Sequence, residues 1–242
     1  MKKVLVIGES CRDIFVYCNT NRLCPDVPVP VLNVVNQTEN GGMAKNVQKN
    51  IEKYLDCDII TNYNWYDVTK TRYVDDKTNH MFFRVDSNDV IEKINVGRIN
   101  YNYELIVISD YNKGFLTEKD IELICENHDN VFIDTKKTLG EWIKKAKFIK
   151  INDVEFDKSK NFITDSFRDK IIHTKGGDGC KYQNKIYPVD KVEVKDVSGA
   201  GDSFLSGLIV DYLKNNNIYS AIKFANECAS EVVKHRGVTI IP

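Results

Sequence analysis

The chain has 242 residues, of which 42% are hydrophobic and 29% are charged, a balance typical of one soluble globular domain. Its 34 Lys and Arg side chains nearly cancel 35 Asp and Glu side chains, giving a net charge of −1, so the overall charge favours neither nucleic acid nor a membrane as a partner. The seven cysteines are odd in number and lack C-x-x-C spacing, which argues against a metal or disulfide framework and predicts reduced thiols in the cytoplasm.

Short, mostly apolar runs recur between helical stretches along the chain, and most of them end in polar residues. They occupy residues 4–7, 105–109, 131–134, 148–152 and 171–174. Because such runs must be buried on both faces, they predict an α/β fold with a mostly parallel central sheet. Ligands bind at the carboxyl ends of the strands in these sheets. At those ends lie Asp110, Asp134, Asn152 and Thr174.

A second kind of strand signal lies outside this pattern. High β propensity with nearby polar residues characterises three segments, residues 27–35, 71–74 and 81–85. Together they predict a small antiparallel sheet, in which Pro28 and Pro30 confine the first segment to an edge or irregular strand. We therefore predict a β lid with strands from about 15–38 and 68–90.

The clearest helices are at the end of the chain. Residues 203–214 and 221–235 place apolar side chains at helical spacing. Basic residues and Gly237 follow the second helix, a combination typical of a helix end because glycine adopts positive φ. No internal repeat or linker interrupts the sequence, so we predict a single domain over residues 1–242.

The strongest functional signal is D-V-S-G-A-G-D, residues 196–202, at the start of the first of these helices. Gly199, Ala200 and Gly201 have little or no side chain, so their amides can approach a ligand where free N–H groups attract anions. A transferring phosphoryl group needs such a cradle. Asp202 beside it can accept the proton of an attacking hydroxyl. The structural alternative is a glycine turn in which Asp202 is a simple helix cap.

D-V-S-G-A-G-D-S-F resembles the C-terminal signature of the PfkB carbohydrate kinases, and G-G-M-A-K-N, residues 41–46, is similar to their N-terminal signature. The resemblance implies a ribokinase-like three-layer sandwich, with a mostly parallel central sheet plus a small β lid, and an enzyme that phosphorylates a sugar hydroxyl with ATP. It also implies sugar contacts from four residues, Asp13, Gly41, Gly42 and Asn46. The alternative is that Asp13 and Asn46 are surface side chains without a ligand.

Further stretches resemble the family's ATP site. Residues 150–155 are similar to its K-x-N-x-x-E segment, and residues 174–179 match its T-x-G-x-x-G loop. The resemblance implies ATP contacts from Lys150, Asn152, Thr174, Gly176, Gly179 and Asn226. Asn152 and Glu155 would organise Mg²⁺ through water, which suits an ion that keeps several waters. Asp196 matches a position that shapes a monovalent-cation site in relatives, so K⁺ is a further candidate cofactor.

A narrower resemblance concerns the acceptor sugar. Residues 22–31, 109–114 and 132–136 are similar, in the same order, to segments of the heptose-7-phosphate kinases of the lipopolysaccharide-precursor pathway. These kinases phosphorylate the anomeric hydroxyl of a heptose that already carries a phosphate. Lys and Arg are the usual partners of such a group. The candidates here are Lys45, Arg72, Arg84 and Lys113, each of which could instead be a solvated surface charge.

The sequence departs from these kinases between Cys57 and Lys70, where it is much shorter. Because this region lies near the sugar side, other possibilities stay open: a PfkB kinase for another sugar, a sugar acid or a nucleoside, or a non-catalytic sugar- or nucleotide-binding relative. A Rossmann dehydrogenase is excluded, since no G-x-G-x-x-G follows the first strand. Relatives often dimerise through the lid, and Val29, Val31 and Phe83 could support a homodimer here.

Overall fold

A central sheet and a smaller second sheet form the framework of the computed structural model, which describes residues 3–87 and 90–242. The strands in these residues are β1 (Lys3–Gly8), β2 (Arg12–Asn19), β3 (Asn33–Asn40), β4 (Asp56–Ile60), β5 (Thr69–Asp75), β6 (Met81–Asp86), β7 (Leu105–Asp110), β8 (Val131–Thr135), β9 (Phe148–Asn152), β10 (Ile171–Thr174), β11 (Cys180–Tyr182) and β12 (Lys185–Tyr187). The α-helices are α1 (Gly42–Glu52), α2 (Glu118–Asn127), α3 (Asp153–Ser159), α4 (Ala200–Asn215) and α5 (Ile218–Val232).

The central sheet has eight strands in the order β12-β11-β10-β9-β8-β7-β1-β4. The six strands from β10 to β4 are parallel, and β11 and β12 extend the sheet as an antiparallel hairpin. All five predicted apolar runs are strands of this sheet, and their bounds agree with the observed ones to within one residue.

Two apolar clusters cover the faces of the central sheet. Val4 and Val6 pack on the side of α1, α4 and α5, whereas Leu5 and Ile7 pack on the side of α2. Successive residues of β1 therefore point into opposite layers, and each layer is buried. This explains why the strands are apolar without alternation, and it confirms the predicted three layers around a mostly parallel central sheet.

The predicted lid is the second sheet, which has four strands in the order β3-β2-β5-β6. The expectation of a purely antiparallel sheet is wrong, because β2 and β5 run parallel. The expectation of a strand from residue 27 is also wrong: a single bridge joins Leu23 to Pro30, and β3 begins at Asn33. Prolines cannot donate to a ladder. Residues 88 and 89 of the predicted range 68–90 lie outside the described residues.

The short connection between β4 and β5 links the edge of the central sheet directly to the lid. Asn62 Oδ1 accepts a hydrogen bond from the Ser10 amide at 2.8 Å, and the Arg12 amide donates to the Val68 carbonyl at 2.7 Å. These bonds fix the start of β2, and with it Asp13, next to the carboxyl edge of the central sheet.

The C-terminal helices each begin three residues before the predicted start. Helix α4 begins directly after Gly199, whose φ of +79° is a conformation that glycine adopts without strain. Helix α5 begins after Asn217, whose side chain accepts from the amide of Tyr219 at 2.9 Å. It ends at Val232, and Gly237, with φ of +66°, lies in the turn that follows. Within residues 3–87 and 90–242, every helix is too short or too polar to cross a membrane.

Candidate active site

The turn before α4 leaves only part of the predicted cradle of Gly199, Ala200 and Gly201 amides available to a ligand. The Ala200 amide donates to the Val197 carbonyl at 3.2 Å, and the Ser203 amide donates to the Gly199 carbonyl at 2.8 Å. Among the residues that the structure describes, the amides of Gly201 and Asp202 have no acceptor. These amides lie at the N-terminus of α4, the positive end of the helix dipole, where an anion would be stabilised.

Asp202 is buried beside these amides and is held by two side chains from other elements. Tyr111 Oη donates to Asp202 Oδ1 at 2.8 Å, and Asn46 Nδ2 donates to Asp202 Oδ2 at 3.4 Å. Burial raises the pKa of Asp202 to about 6, while the hydrogen bonds from Tyr111 and Asn46 oppose this rise. A carboxyl group with this pKa is ionised at neutral pH and can still take up a proton.

A cavity of about 640 Å³ opens over Asp202 and the turn. All six predicted ATP-binding residues line this cavity: Lys150, Asn152, Thr174, Gly176, Gly179 and Asn226. The apolar part of the lining includes Val189, Val192, Val194, Val197 and Val233. The predicted nucleotide residues, the cradle and Asp202 therefore share one cavity, whose lining is partly polar and partly apolar.

Asn152 and Glu155 form a capping box at the start of α3. The Glu155 amide donates to Asn152 Oδ1 at 2.9 Å, and the Asn152 amide donates to Glu155 Oε2 at 2.8 Å. In the described part of the chain, no three His, Cys, Asp or Glu side chains cluster as a metal site would require. The side chains of Asn152 and Glu155 carry oxygen atoms, the ligand type that Mg²⁺ prefers, and their contact with Mg²⁺ through water stays a prediction.

Two lysines and Asp134 form a charged group at the floor of the cavity. Asp134 Oδ2 lies 2.6 Å from Lys150 Nζ, and Asp134 Oδ1 lies 3.4 Å from Lys136 Nζ. Burial raises the pKa of Asp134, but the two ammonium groups outweigh burial and lower it. Lys136 Nζ also lies 2.5 Å from Glu155 Oε1, so this group connects α3 with the ends of β8 and β9.

The sequence analysis did not identify Tyr111 or Lys136 as site residues. Both occur in the segments that resemble heptose-7-phosphate kinases, two residues after the end of a predicted strand, and that position was the available signal. Tyr111 is held in place by buried Glu9, whose carboxylate accepts from the amides of Tyr111 and Lys113 at 2.8 Å each. Burial raises the pKa of Glu9.

The predicted sugar residues lie on the lid side of Asp202. Asp13 on β2 forms an ion pair with Arg72 on β5, and Gly42, with φ of +53°, leaves no room for a Cβ beside Cys11 Sγ. Asn46 reaches Asp202 directly. Arg72 and Arg84 face each other across β5 and β6. Burial, followed by the charge of Arg84, lowers the pKa of Arg72.

Three other predicted residues have local structural contacts. Gly41 caps α1 and lies against the side chain of Lys45, so a Cβ there would clash. Lys113 has an exposed side chain in the loop after β7. Asp196 accepts from the amides of Ser198 and Gly237 at 2.9 and 3.0 Å, which ties the turn before α4 to the segment after α5.

Comparisons with known proteins agree with this architecture. A model of the pfkB family carbohydrate kinases matches residues 116–242, just over half of the chain. The bifunctional protein HldE of Helicobacter pylori strain J99 is 27% identical over an alignment that covers 98% of this chain and 64% of the relative. The chain thus spans less than two thirds of that relative's length. The alignment has 296 positions, more than the chain has residues, so the relative contains internal segments that are absent here.

Two solved structures show the same fold. Ribokinase from Thermotoga maritima superposes with a TM-score of 0.75 at 18% identity, covering 100% of this chain and 96% of that one. Phosphofructokinase-2 from Escherichia coli, in complex with potassium, superposes with a TM-score of 0.70 at 13% identity, covering 100% and 96%. At these identities the likeness extends to the fold alone.

The hydrogen bond from Tyr111 generates a prediction about pH. This hydrogen bond stabilises ionised Asp202, so its loss in Tyr111→Phe should raise the pKa of Asp202. The pH at which acceptor-dependent ATP consumption falls to half on the acidic side should then rise by about one unit. The loss of activity should therefore be largest near pH 6 and small at pH 8. Tyr63→Phe, at a side chain that is 94% exposed, is the matched control. An unchanged half-maximal pH in Tyr111→Phe would contradict the role of this hydrogen bond.

Proposed function

This chain belongs to the pfkB family of carbohydrate kinases, and we propose that it transfers the γ-phosphoryl group of ATP to the anomeric hydroxyl of a heptose 7-phosphate. The observation that carries the phosphoryl-transfer part is the position of Asp202: a buried carboxyl group beside free helix amides, at the floor of a cavity large enough for a nucleotide. Carbohydrate kinases of this family use ATP and Mg²⁺ as cosubstrate and metal.

The apolar part of the cavity lining suits the adenine base, and the loops after β9 and β10 suit the phosphates. Asn226, buried at one end, donates to the Tyr187 carbonyl at 2.9 Å and so stiffens the base end. Lys150 lies close to the cradle, since a Cβ at Gly201 would be 3.4 Å from its ammonium group. The γ-phosphoryl group would therefore meet both the helix amides and a cation.

In the proposed reaction, Asp202 accepts the proton of the sugar hydroxyl while the oxygen of that hydroxyl attacks the γ-phosphorus. The bond between that phosphorus and the bridging oxygen of ADP breaks, and ADP leaves with the negative charge. Asn46 and Tyr111 orient the carboxylate, and the amides of Gly201 and Asp202 stabilise charge on the moving phosphoryl group. Mg²⁺ bound to ATP, with Asn152 and Glu155 orienting its waters, would neutralise the phosphate charge.

The choice of a phosphorylated acceptor rests on the lid. Arg72 and Arg84 lie directly opposite each other, an arrangement of like charges that is unfavourable without an anion. Asp13 and Asp86 offset part of this charge. A doubly charged phosphate near Arg72 would offset more of it, and Asp13 would then be released toward sugar hydroxyls. The resemblance of residues 22–31 and 109–114 to heptose-7-phosphate kinases supports the same acceptor.

We further propose that the protein acts in the cytoplasm as a homodimer. All seven cysteines lie within the described residues and are free thiols, as a reducing compartment favours. The lid exposes Phe83 and Val85 on its edge strand β6, and exposed apolar side chains on one strand are suited to an interface. A second copy of the chain would cover them.

The test of the reaction is a substrate panel read by phosphorus NMR with MgATP. We expect a new anomeric phosphate from heptose 7-phosphate, and slower or no product from the unphosphorylated heptose, fructose 6-phosphate, ribose and adenosine. Asp202→Asn should lower turnover by about 10²–10⁴-fold, since a general base is lost, with nearly unchanged ATP affinity. Asp165→Asn, at an exposed carboxylate, is the matched control.

The outcomes separate the parts of the proposal. Product from another acceptor but not from heptose 7-phosphate would overturn the choice of sugar and leave the kinase intact. Tight ATP binding without transfer to any acceptor would favour a non-catalytic binding relative. Near-normal turnover by Asp202→Asn would remove Asp202 from its role.

The dimer has a separate test. Light scattering should give about twice the chain mass of 27.8 kDa for the unaltered protein, and Phe83→Glu should give the monomer because a charge enters the apolar contact. Phe162→Glu, at another exposed phenylalanine, should remain dimeric. A monomer for the unaltered chain at micromolar concentration would overturn the proposal.

A further inference from the structure

Lys136 is a cation of the cavity lining that the sequence analysis did not name as a site residue. Its side chain is 33% exposed and lines the cavity, whereas the side chain of Lys150 is only 4% exposed. Lys150 is also held at 2.6 Å by Asp134. Of these two lysines beside Asp134, Lys136 is therefore the one with room to change its partner.

The contacts of Lys136 extend between the two ends of the proposed reaction. Its ammonium group lies 2.5 Å from Glu155 Oε1, at the start of α3. It also lies 5.5 Å from the centroid of the Tyr111 ring, and the hydroxyl of that ring is 2.8 Å from Asp202. Lys136 thus borders the space between the residues proposed to contact the phosphates and the proposed base.

Charge balance in this part of the site requires that a polyphosphate enters with its metal. Asp134, Glu155 and Asp202 supply three carboxylates, and Lys136 and Lys150 supply two cations, so the net negative charge would be offset by the Mg²⁺ of MgATP. Burial lowers the pKa of Lys136, but Asp134 and Glu155 outweigh burial and raise it, so the ammonium group stays charged. A positive charge that is both fixed and partly exposed is suited to bind a polyphosphate.

We propose that Lys136 is a catalytic residue that contacts the transferring phosphoryl group, opposite the amides at the start of α4. Asp134 stays within ion-pair distance of the Lys136 ammonium group, and Glu155 is exchanged for the γ-phosphate when ATP binds. During transfer the bond from phosphorus to the ADP oxygen breaks and the bond to the acceptor oxygen forms, the acceptor proton goes to Asp202, and Lys136 offsets charge on the phosphoryl oxygens. This inference rests on the proposed kinase function but not on the identity of the sugar.

The test compares Lys136→Met with Lys160→Met. Lys160 directly follows α3 and pairs with Asp157, an exposed residue of that helix, and neither residue lines the cavity. Titration calorimetry with MgATP, MgADP and AMP provides a readout that needs no acceptor. We expect Lys136→Met to lower the affinity for MgATP by about tenfold, because one charge-assisted contact to the γ-phosphate is lost. The affinity for MgADP, which has no γ-phosphate, should change little. Turnover should fall by about 10²–10³-fold, and Lys136→Arg should recover part of both losses.

The outcomes distinguish this inference from the function on which it depends. If the unaltered protein binds no ATP, the kinase proposal fails together with the inference. If it prefers ATP over ADP and Lys136→Met keeps that preference, the inference alone is overturned. Chemical denaturation of each variant measures stability, and a purely structural role would lower stability while leaving the ratio of ATP to ADP affinity unchanged.

Discussion

The active site depends on keeping one carboxylate, that of Asp202, buried and ionised. Burial alone would favour its neutral form, and the pKa of about 6 shows that effect. The ionised form persists at neutral pH because Tyr111 and Asn46 donate to it from two other elements. Three elements must therefore meet at Asp202: the start of α4, the loop after β7 and the first turns of α1. The order of strands in the central sheet brings these elements together.

A second layer of buried charge supports this point. Glu9 fixes the Tyr111 loop through two backbone amides, and Lys137 lies 2.9 Å from Asp110 beneath it. Asp134 holds Lys136 and Lys150 on either side. Each carboxylate is compensated by cations or amides, as buried charges require. Loss of one partner would leave an uncompensated charge in the floor of the cavity.

Local patterns and long-range contacts differ in how well the sequence predicts them. The central strands and the glycine turn before α4 can be predicted from the local sequence pattern, because both are determined by burial and local conformation. The parallel pairing of β2 with β5 does not, since pairing joins segments about 57 residues apart and depends on the whole fold. Pro28 and Pro30 correctly indicated irregular structure, but the strand was still predicted too early. Tyr111 and Lys136 became site residues only through their distances to Asp202 and Glu155.

The central claim is that Asp202 is a buried carboxyl group with a raised pKa, and its ionisation can be measured directly. The experiment is an NMR pH titration of protein with ¹³C-labelled aspartate, in which the resonance of Asp202 is assigned by its absence in Asp202→Asn. The account predicts a midpoint near pH 6. A midpoint near the ordinary aspartate pKa of about 3.9 would mean that the carboxylate is solvated, and would contradict the site described.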